Sequence, residues 1–214
     1  MRPLVGGLMV LFLVPLSAQL RPSTPETAVI DEISRLLSQP GVYLDSLTAT
    51  PRLVRVNPVV AKEIDVRVKR DEEPVVAQYP GARASVRASI EPIFYLYKNR
   101  PEMFYSSKGK VDVWLVRLEP QADNRRLRLG TAKPDSRGGS IISVRIKEAA
   151  TPMVVETLPG DLYRVTSPSP LAPGEYALVS AMIFAETVDR FVLRLSGGPV
   201  KLKTPIFDFG IEVP

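Results

Sequence analysis

The sequence predicts an all-β chain: an antiparallel Greek-key (immunoglobulin-like) β-sandwich with a short N-terminal α-helix. Three observations carry that prediction. From Gly41 onward, short apolar runs alternate hydrophobic and polar side chains with period two, as a half-buried strand requires. Proline–glycine pairs punctuate these runs at 40–41, 80–81, 159–160 and 173–174. After residue 39, no stretch with helical spacing is long enough to connect parallel strands.

The elements follow in order. Residues 1–18 have the layout of a signal peptide: Arg2, an apolar core from Leu4 to Val14, then Pro15 and the small residues Ser17 and Ala18. That core is too short to cross a bilayer of about 30 Å as a helix. The expectation is therefore an extracytoplasmic protein, periplasmic or secreted, with no membrane span after cleavage. Residues 19–24 form a polar linker. Thr24 can cap a helix with Pro25 at its first position, where a missing N–H is harmless. Val29, Ile30, Ile33, Leu36 and Leu37 recur at helical spacings, so residues 25–39 should form an amphipathic helix ending at Pro40-Gly41.

Residues 41–214 should form a single sandwich domain. Its strands are expected at VYL (42–44), PRLVRV (51–56), EIDVRVKR (63–70), RASVRASI (83–90) and PIFYLY (92–97). VDVWLVRLE (111–119) is nearly continuously apolar and reads as a central strand covered on both faces. The turn PQADN joins it to RRLRLG (125–130) as a hairpin. SIISVRI (140–146), PMVVETL (152–158), DLYRVTS (161–167), GEYALVSAMIF (174–184), DRFVLRLS (189–196) and PIFDFGIEV (205–213) complete the set. Residues 98–110 and 131–140 are expected to be loops.

Composition narrows the chemistry. The chain has no cysteine and no histidine. Disulfides, thiol chemistry, Ser-His and Cys-His nucleophile systems and histidine-bearing metal sites are therefore excluded. No cofactor motif appears: there is no G-x-G-x-x-G and no G-x-x-x-x-G-K-[ST]. The glycines of SKGK (107–110) and SRGGS (136–140) read as turns. The 21 prolines in 214 residues are roughly twice ordinary usage and suit many strand ends. The net charge is +5, with lysine and arginine dispersed among acids, which does not describe a nucleic-acid protein.

LAPGEYALV (171–179) has the parts of a tyrosine corner. Pro173 sets φ in the turn, Gly174 permits a positive φ, Leu171 plugs the core, and the Tyr176 hydroxyl can bond back to upstream backbone. Glu175 and Tyr176 would point to opposite faces of their strand, so they do not form an acid–base pair.

TSPSPLAPGEYALV followed by PIFDFGIEVP resembles the C-terminal signature, PLxPGEYA then FDFG, of a group of uncharacterised secreted bacterial β-sandwich proteins. GVYL (41–44), PGARASVRA (80–88), PIFYLY (92–97) and VWLVRLEPQADNRRLRLG (113–130) match the same group in order. The resemblance implies a secreted sandwich and carries no catalytic residues. It also implies a short loop between the Glu-Tyr-Ala-Leu strand and the final strand. Here the stretch from Ser180 to Gly198 intervenes.

Glu119, Asp161, Glu175 and Asp208 are the candidate carboxylates. They lie on different predicted strands, and spacing alone does not bring two together. Asp208, between Phe207 and Phe209, is expected at a surface or edge, bonding nearby backbone. Tyr95, Tyr97, Phe104, Tyr105, Arg126 and Arg128 are candidates for a ligand or partner surface. In the alternative reading Phe94 and Leu96 fill the core while Tyr95 and Tyr97 pack under a loop, and Trp114 is core. The function expected is a non-enzymatic protein-interaction or structural module, with an envelope protein or a polysaccharide as partner. The alternatives are a carbohydrate-binding module using exposed aromatics and a carboxylate-only hydrolase, which needs two carboxyls about 5–9.5 Å apart.

Overall fold

The computed structural model describes residues 30, 33, 35, 37, 39–46, 53–61, 64–65, 72–97, 104, 110–134, 140–144, 149–180, 199–200 and 205–212. The chain divides into two compact units, Met1–Arg35 and Leu36–Pro214. In the first, Ile30, Ile33 and Arg35 are helical, with Ile33 buried and Arg35 exposed. Leu37 and Gln39 are not helical, so the helix stops short of the expected end at residue 39; residues 1–29, with the leader and linker, lie outside the described residues.

The described part of the second unit is built of β-strands: β1 (Gly41–Asp45), β2 (Leu53–Val56), β3 (Pro58–Val60), β4 (Ile64–Asp65), β5 (Glu73–Pro80), β6 (Arg87–Ala88), β7 (Ile93–Tyr97) and β8 (Val113–Pro120), then β9 (Asn124–Pro134), β10 (Ser140–Val144), β11 (Ala150–Pro152), β12 (Val154–Leu158), β13 (Leu162–Thr166), β14 (Gly174–Ser180), β15 (Pro199–Val200) and β16 (Pro205–Ile211). One sheet runs β12-β13-β7-β1-β2. A larger one runs β10-β9-β8-β14-β16-β3, with β5 on β9, β11 on β8 and β6 on β16. β4 and β15 form a separate pair. The pairings are antiparallel, except that β6 runs parallel to β16.

Two extended segments change sheets midway. β2 closes one edge of the first sheet, and β3 closes an edge of the second. The break falls at Asn57-Pro58. Proline has no N–H for a ladder, so an edge tolerates it where a central strand would not. β11 and β12 repeat the device. β11 pairs with β8 and β12 with β13, and between them the Met153 N–H donates to the Val113 carbonyl (2.9 Å).

Side-chain parity places two cores on opposite faces of β8, β14 and β16. Val113 and Leu115, Tyr176 and Leu178, and Phe207, Phe209 and Ile211 join Val42, Leu44, Phe94 and Leu96 of the first sheet. The alternate residues Val116 and Leu118, Ala177 and Val179, and Ile206 pack instead with Val75, Ala77 and Tyr79 of β5 and Leu127, Leu129 and Ala132 of β9. The second core exists because the β8–β9 hairpin is paired only at its tip, Glu119↔Arg126 and Pro120↔Arg125. Beyond it the strands part, and β9 with β5 covers the far face of β8. Burying a leucine or phenylalanine contributes about 1.5–3 kcal/mol, so both faces of these strands stabilise the unit. Near-continuous apolarity predicted such cover for residues 111–119, and it extends to β14 and β16.

Some boundaries differ from the sequence reading. β5 lies in a stretch without a predicted strand, although Val75, Ala77 and Tyr79 alternate there. β9 continues through residues 131–134, where a loop was expected. RASVRASI is not a strand of eight residues. Only Arg87–Ala88 pairs, because the backbone before it is used otherwise: the Ala84 N–H binds Glu175 and the Val86 carbonyl accepts from Gly210. β14 and β16 pair directly, from Gly174↔Ile211 to Leu178↔Phe207. The strand predicted at 189–196 and most of the loop predicted at 98–110 lie outside the described residues.

Candidate functional site

β16 brings Asp208 to the second core's face, opposite in parity to Phe207 and Phe209. On a strand covered on both faces, neither direction leads to water. Asp208 is 4% exposed, and the expectation of a surface or edge position is corrected accordingly. Its partner is Arg125, the first inward-facing residue of β9 after the hairpin turn and 2% exposed. The fork of Arg125 is well occupied. Nη1 donates to the Asp208 carboxylate, Nε to the Gly81 carbonyl (3.0 Å) and Nη2 to the Pro80 carbonyl (2.7 Å). A planar guanidinium suits this arrangement, because its donors diverge in fixed directions.

Glu175, on β14, joins the same cluster. Its Oε2 lies 3.9 Å from Arg125 Nη1 and accepts the Ala84 N–H at 2.7 Å. Its Oε1 accepts from Arg87 Nη1 at 2.7 Å. Arg87 Nε reaches the exposed Glu212 at 3.1 Å. The cluster thus alternates in sign from Asp208 through Arg125, Glu175 and Arg87 to Glu212. Burial lifts the Asp208 carboxyl above its ordinary pKa, with Arg125 opposing and Glu175 adding to the rise. Desolvation exceeds attraction here, as buried ion pairs allow.

Spacing along the chain does not reveal that Glu175 and Asp208 meet. They converge because β14 and β16 are sheet neighbours and both residues face β9. Glu119 and Asp161 stay apart: Glu119 is exposed opposite Arg126, and Asp161 takes a positive φ of 58° in the β12–β13 turn. An open depression of ≈ 560 Å³ lies over the cluster, lined in part by Arg83, Arg87, Gln121, Glu175 and Glu212. The two buried carboxylates are engaged by guanidinium and amide donors, which makes the arrangement a clamp between strands. Among the described residues no group of three acidic side chains gathers for a metal ion.

The corner at 171–176 forms. The Tyr176 hydroxyl donates to the Ala172 carbonyl at 2.8 Å, Gly174 has φ 156°, and Leu171 packs against the first core. Tyr176 faces Phe209, with ring centroids 5.8 Å apart, while Glu175 points the opposite way. A second corner exists that sequence reading missed: the Tyr43 hydroxyl donates to the Gln39 carbonyl at 2.7 Å. Both are Pro-Gly-x-Tyr, and each tyrosine faces an arginine of a Leu-Val-Arg strand, Tyr43↔Arg55 and Tyr176↔Arg117. Arg55 Nη2 donates to the Pro40 carbonyl and Arg117 Nη2 to the Pro173 carbonyl, at 3.2 and 3.3 Å. The signal was PGVY with LVRV and PGEY with LVRL, in opposite chain order.

Among the described residues, the candidates for a partner surface lie on separate parts of the fold. Tyr95 is 4% exposed and Phe104 3%. Tyr95 lies between Tyr43 and Arg164 in register, and Phe104 packs near Phe207 (centroids 5.5 Å). Tyr97 is half-buried, and Tyr105 lies outside the described residues. Arg126 and Arg128 are exposed on the outer face of β9, opposite Gln78 and Val76. Trp114 is half-buried against the second core. Comparison with protein-family models, with curated proteins and with solved structures finds no match to this chain.

Proposed function

We propose that this chain is a non-enzymatic extracytoplasmic β-sandwich, of immunoglobulin-like Greek-key type, that acts as a protein-interaction module. The observation that carries the reading is the state of the two buried acids on β14 and β16. Glu175 spends one carboxylate oxygen on Arg87 and the other on the Ala84 amide, and Asp208 is held by Arg125. Groups so engaged brace strands together; a hydrolytic pair instead needs one carboxyl free to give a proton and one to receive it. The leader-like start of the sequence supports export. The burial of Tyr95 and Phe104 weighs against a sugar-stacking platform, which needs exposed rings.

The test is in vivo cross-linking of the full chain in its native host, with residues 1–18 also fused to a reporter that is active only outside the cytoplasm. Reporter export and a discrete heterologous protein adduct are expected. A reporter retained in the cytoplasm, or a chain that yields no adduct at any cross-linker concentration, overturns the reading.

A further inference from the structure

The geometry points to the outer edge of β12 as the docking edge, where an extended partner segment rich in basic and aliphatic residues adds as a strand. The inference rests on the interaction reading above and names its site and partner chemistry. β12 ends the five-stranded sheet; its registered neighbour among the described residues is β13. One side of its backbone therefore presents hydrogen-bonding groups with no strand of the described residues opposite, a template for an added strand. Val154 is 53% exposed, and Glu156 and Thr157 are exposed with it. Edges are ordinarily guarded by lysine, proline or a bulge. β12 carries one charge, Glu156, and that is drawn back onto its own sheet by Arg164 at 2.6 Å.

The side-chain preference follows from what lies beside the edge. Val154 stands opposite Thr166, which stands opposite Ile93. This row leads into a depression of ≈ 540 Å³ whose walls include Ile90, Pro92, Pro168 and Pro170. Ile90 is itself 46% exposed. An aliphatic side chain on an added strand, level with Val154, would extend this row. Charge selects the rest. The chain as a whole is +5, yet this edge is acidic: Glu91 lines the depression, Glu156 sits mid-strand and Asp161 occupies the following turn, against Arg164. A basic residue two positions from the aliphatic one falls on the same face, level with Glu156.

The test uses the full chain and a synthetic peptide alternating valine and lysine, with valine–glutamate and backbone N-methylated versions as controls. The valine–lysine peptide should bind and slow amide exchange within residues 154–158. N-methylation or Val154→Lys should weaken binding by about tenfold, the loss of one or two hydrogen bonds or contacts, with the chain's melting temperature unchanged. Equal binding of the glutamate peptide, insensitivity to N-methylation, or protection confined to other strands overturns the proposal. So does a dimer of this chain that occupies β12 and dissociates in Val154→Lys. If Val154→Lys retains its cross-linked partner in the host, the interaction reading stands and β12 alone is removed.

Discussion

Gly210 lies directly beneath the guanidinium of Arg87: a methyl group built on its Cα would fall inside that guanidinium. β6 and β16 meet here in parallel register, Gly210↔Arg87, and the Gly210 N–H donates to the Val86 carbonyl at 2.9 Å. The glycine of FDFG is therefore needed for close approach, so that Arg87 can cross the strand and reach Glu175.

Gly210→Ala should displace Arg87 and cost about 1–3 kcal/mol, the usual range for overpacking. Chemical denaturation of Gly210→Ala, Arg87→Ala and the double variant checks it. In the double variant the alanine methyl meets no guanidinium, so the two penalties should sum to more than the measured loss. Strict additivity would show that the crowding is elsewhere.

Arg125 and Asp208 should not be equally sensitive. Arg125→Met leaves buried Asp208 without its cation, Glu175 with Arg87 alone, and two turn carbonyls without their donor. Breaking a buried pair this way costs about 3–5 kcal/mol. Asp208→Asn leaves Arg125 still 3.9 Å from Glu175 and bonded to Pro80 and Gly81, so its cost should be clearly smaller. Urea midpoints at neutral pH decide the order.

The pH dependence follows from the raised Asp208 carboxyl. A carboxyl that binds its proton more tightly folded than unfolded contributes more stability when protonated. That contribution is complete below the ordinary aspartate pKa of 3.8 and fades as pH rises through the folded value. The stability difference between the natural chain and Asp208→Asn should therefore shift in the natural chain's favour on acidification through that window. Paired denaturation curves across the acid range measure it; a shift the other way would mean that Arg125 outweighs burial.

The two tyrosine corners should behave alike. Tyr176→Phe and Tyr43→Phe each remove one hydroxyl bond worth about 0.5–1.5 kcal/mol net. Their hydroxyls bond to different carbonyls, so the double variant should lose about the sum. An unchanged thermal midpoint in either single variant would mean that its hydroxyl bond contributes nothing to stability.

Local pattern was enough for much of this molecule. Period-two alternation and proline–glycine turns specify an antiparallel all-β chain, and the nearly continuous apolarity of 111–119 marks a strand covered on both faces. The spacing Leu171-x-Pro173-Gly174-x-Tyr176 specifies a corner, because every contact it needs lies within a few residues. The mirrored corner at Gln39–Tyr43 was equally local and was legible in PGVY beside LVRV. Other features depended on assembly. That β9 folds across β8, that Asp208 faces inward, and that Arg125, Glu175 and Arg87 converge are consequences of which strands become neighbours. Sequence separation of 83 residues between Arg125 and Asp208 carries no signal of that choice. A charged side chain on an alternating strand looks like a solvent-facing residue until a second layer covers that face; burial and pairing are properties of the packed layers.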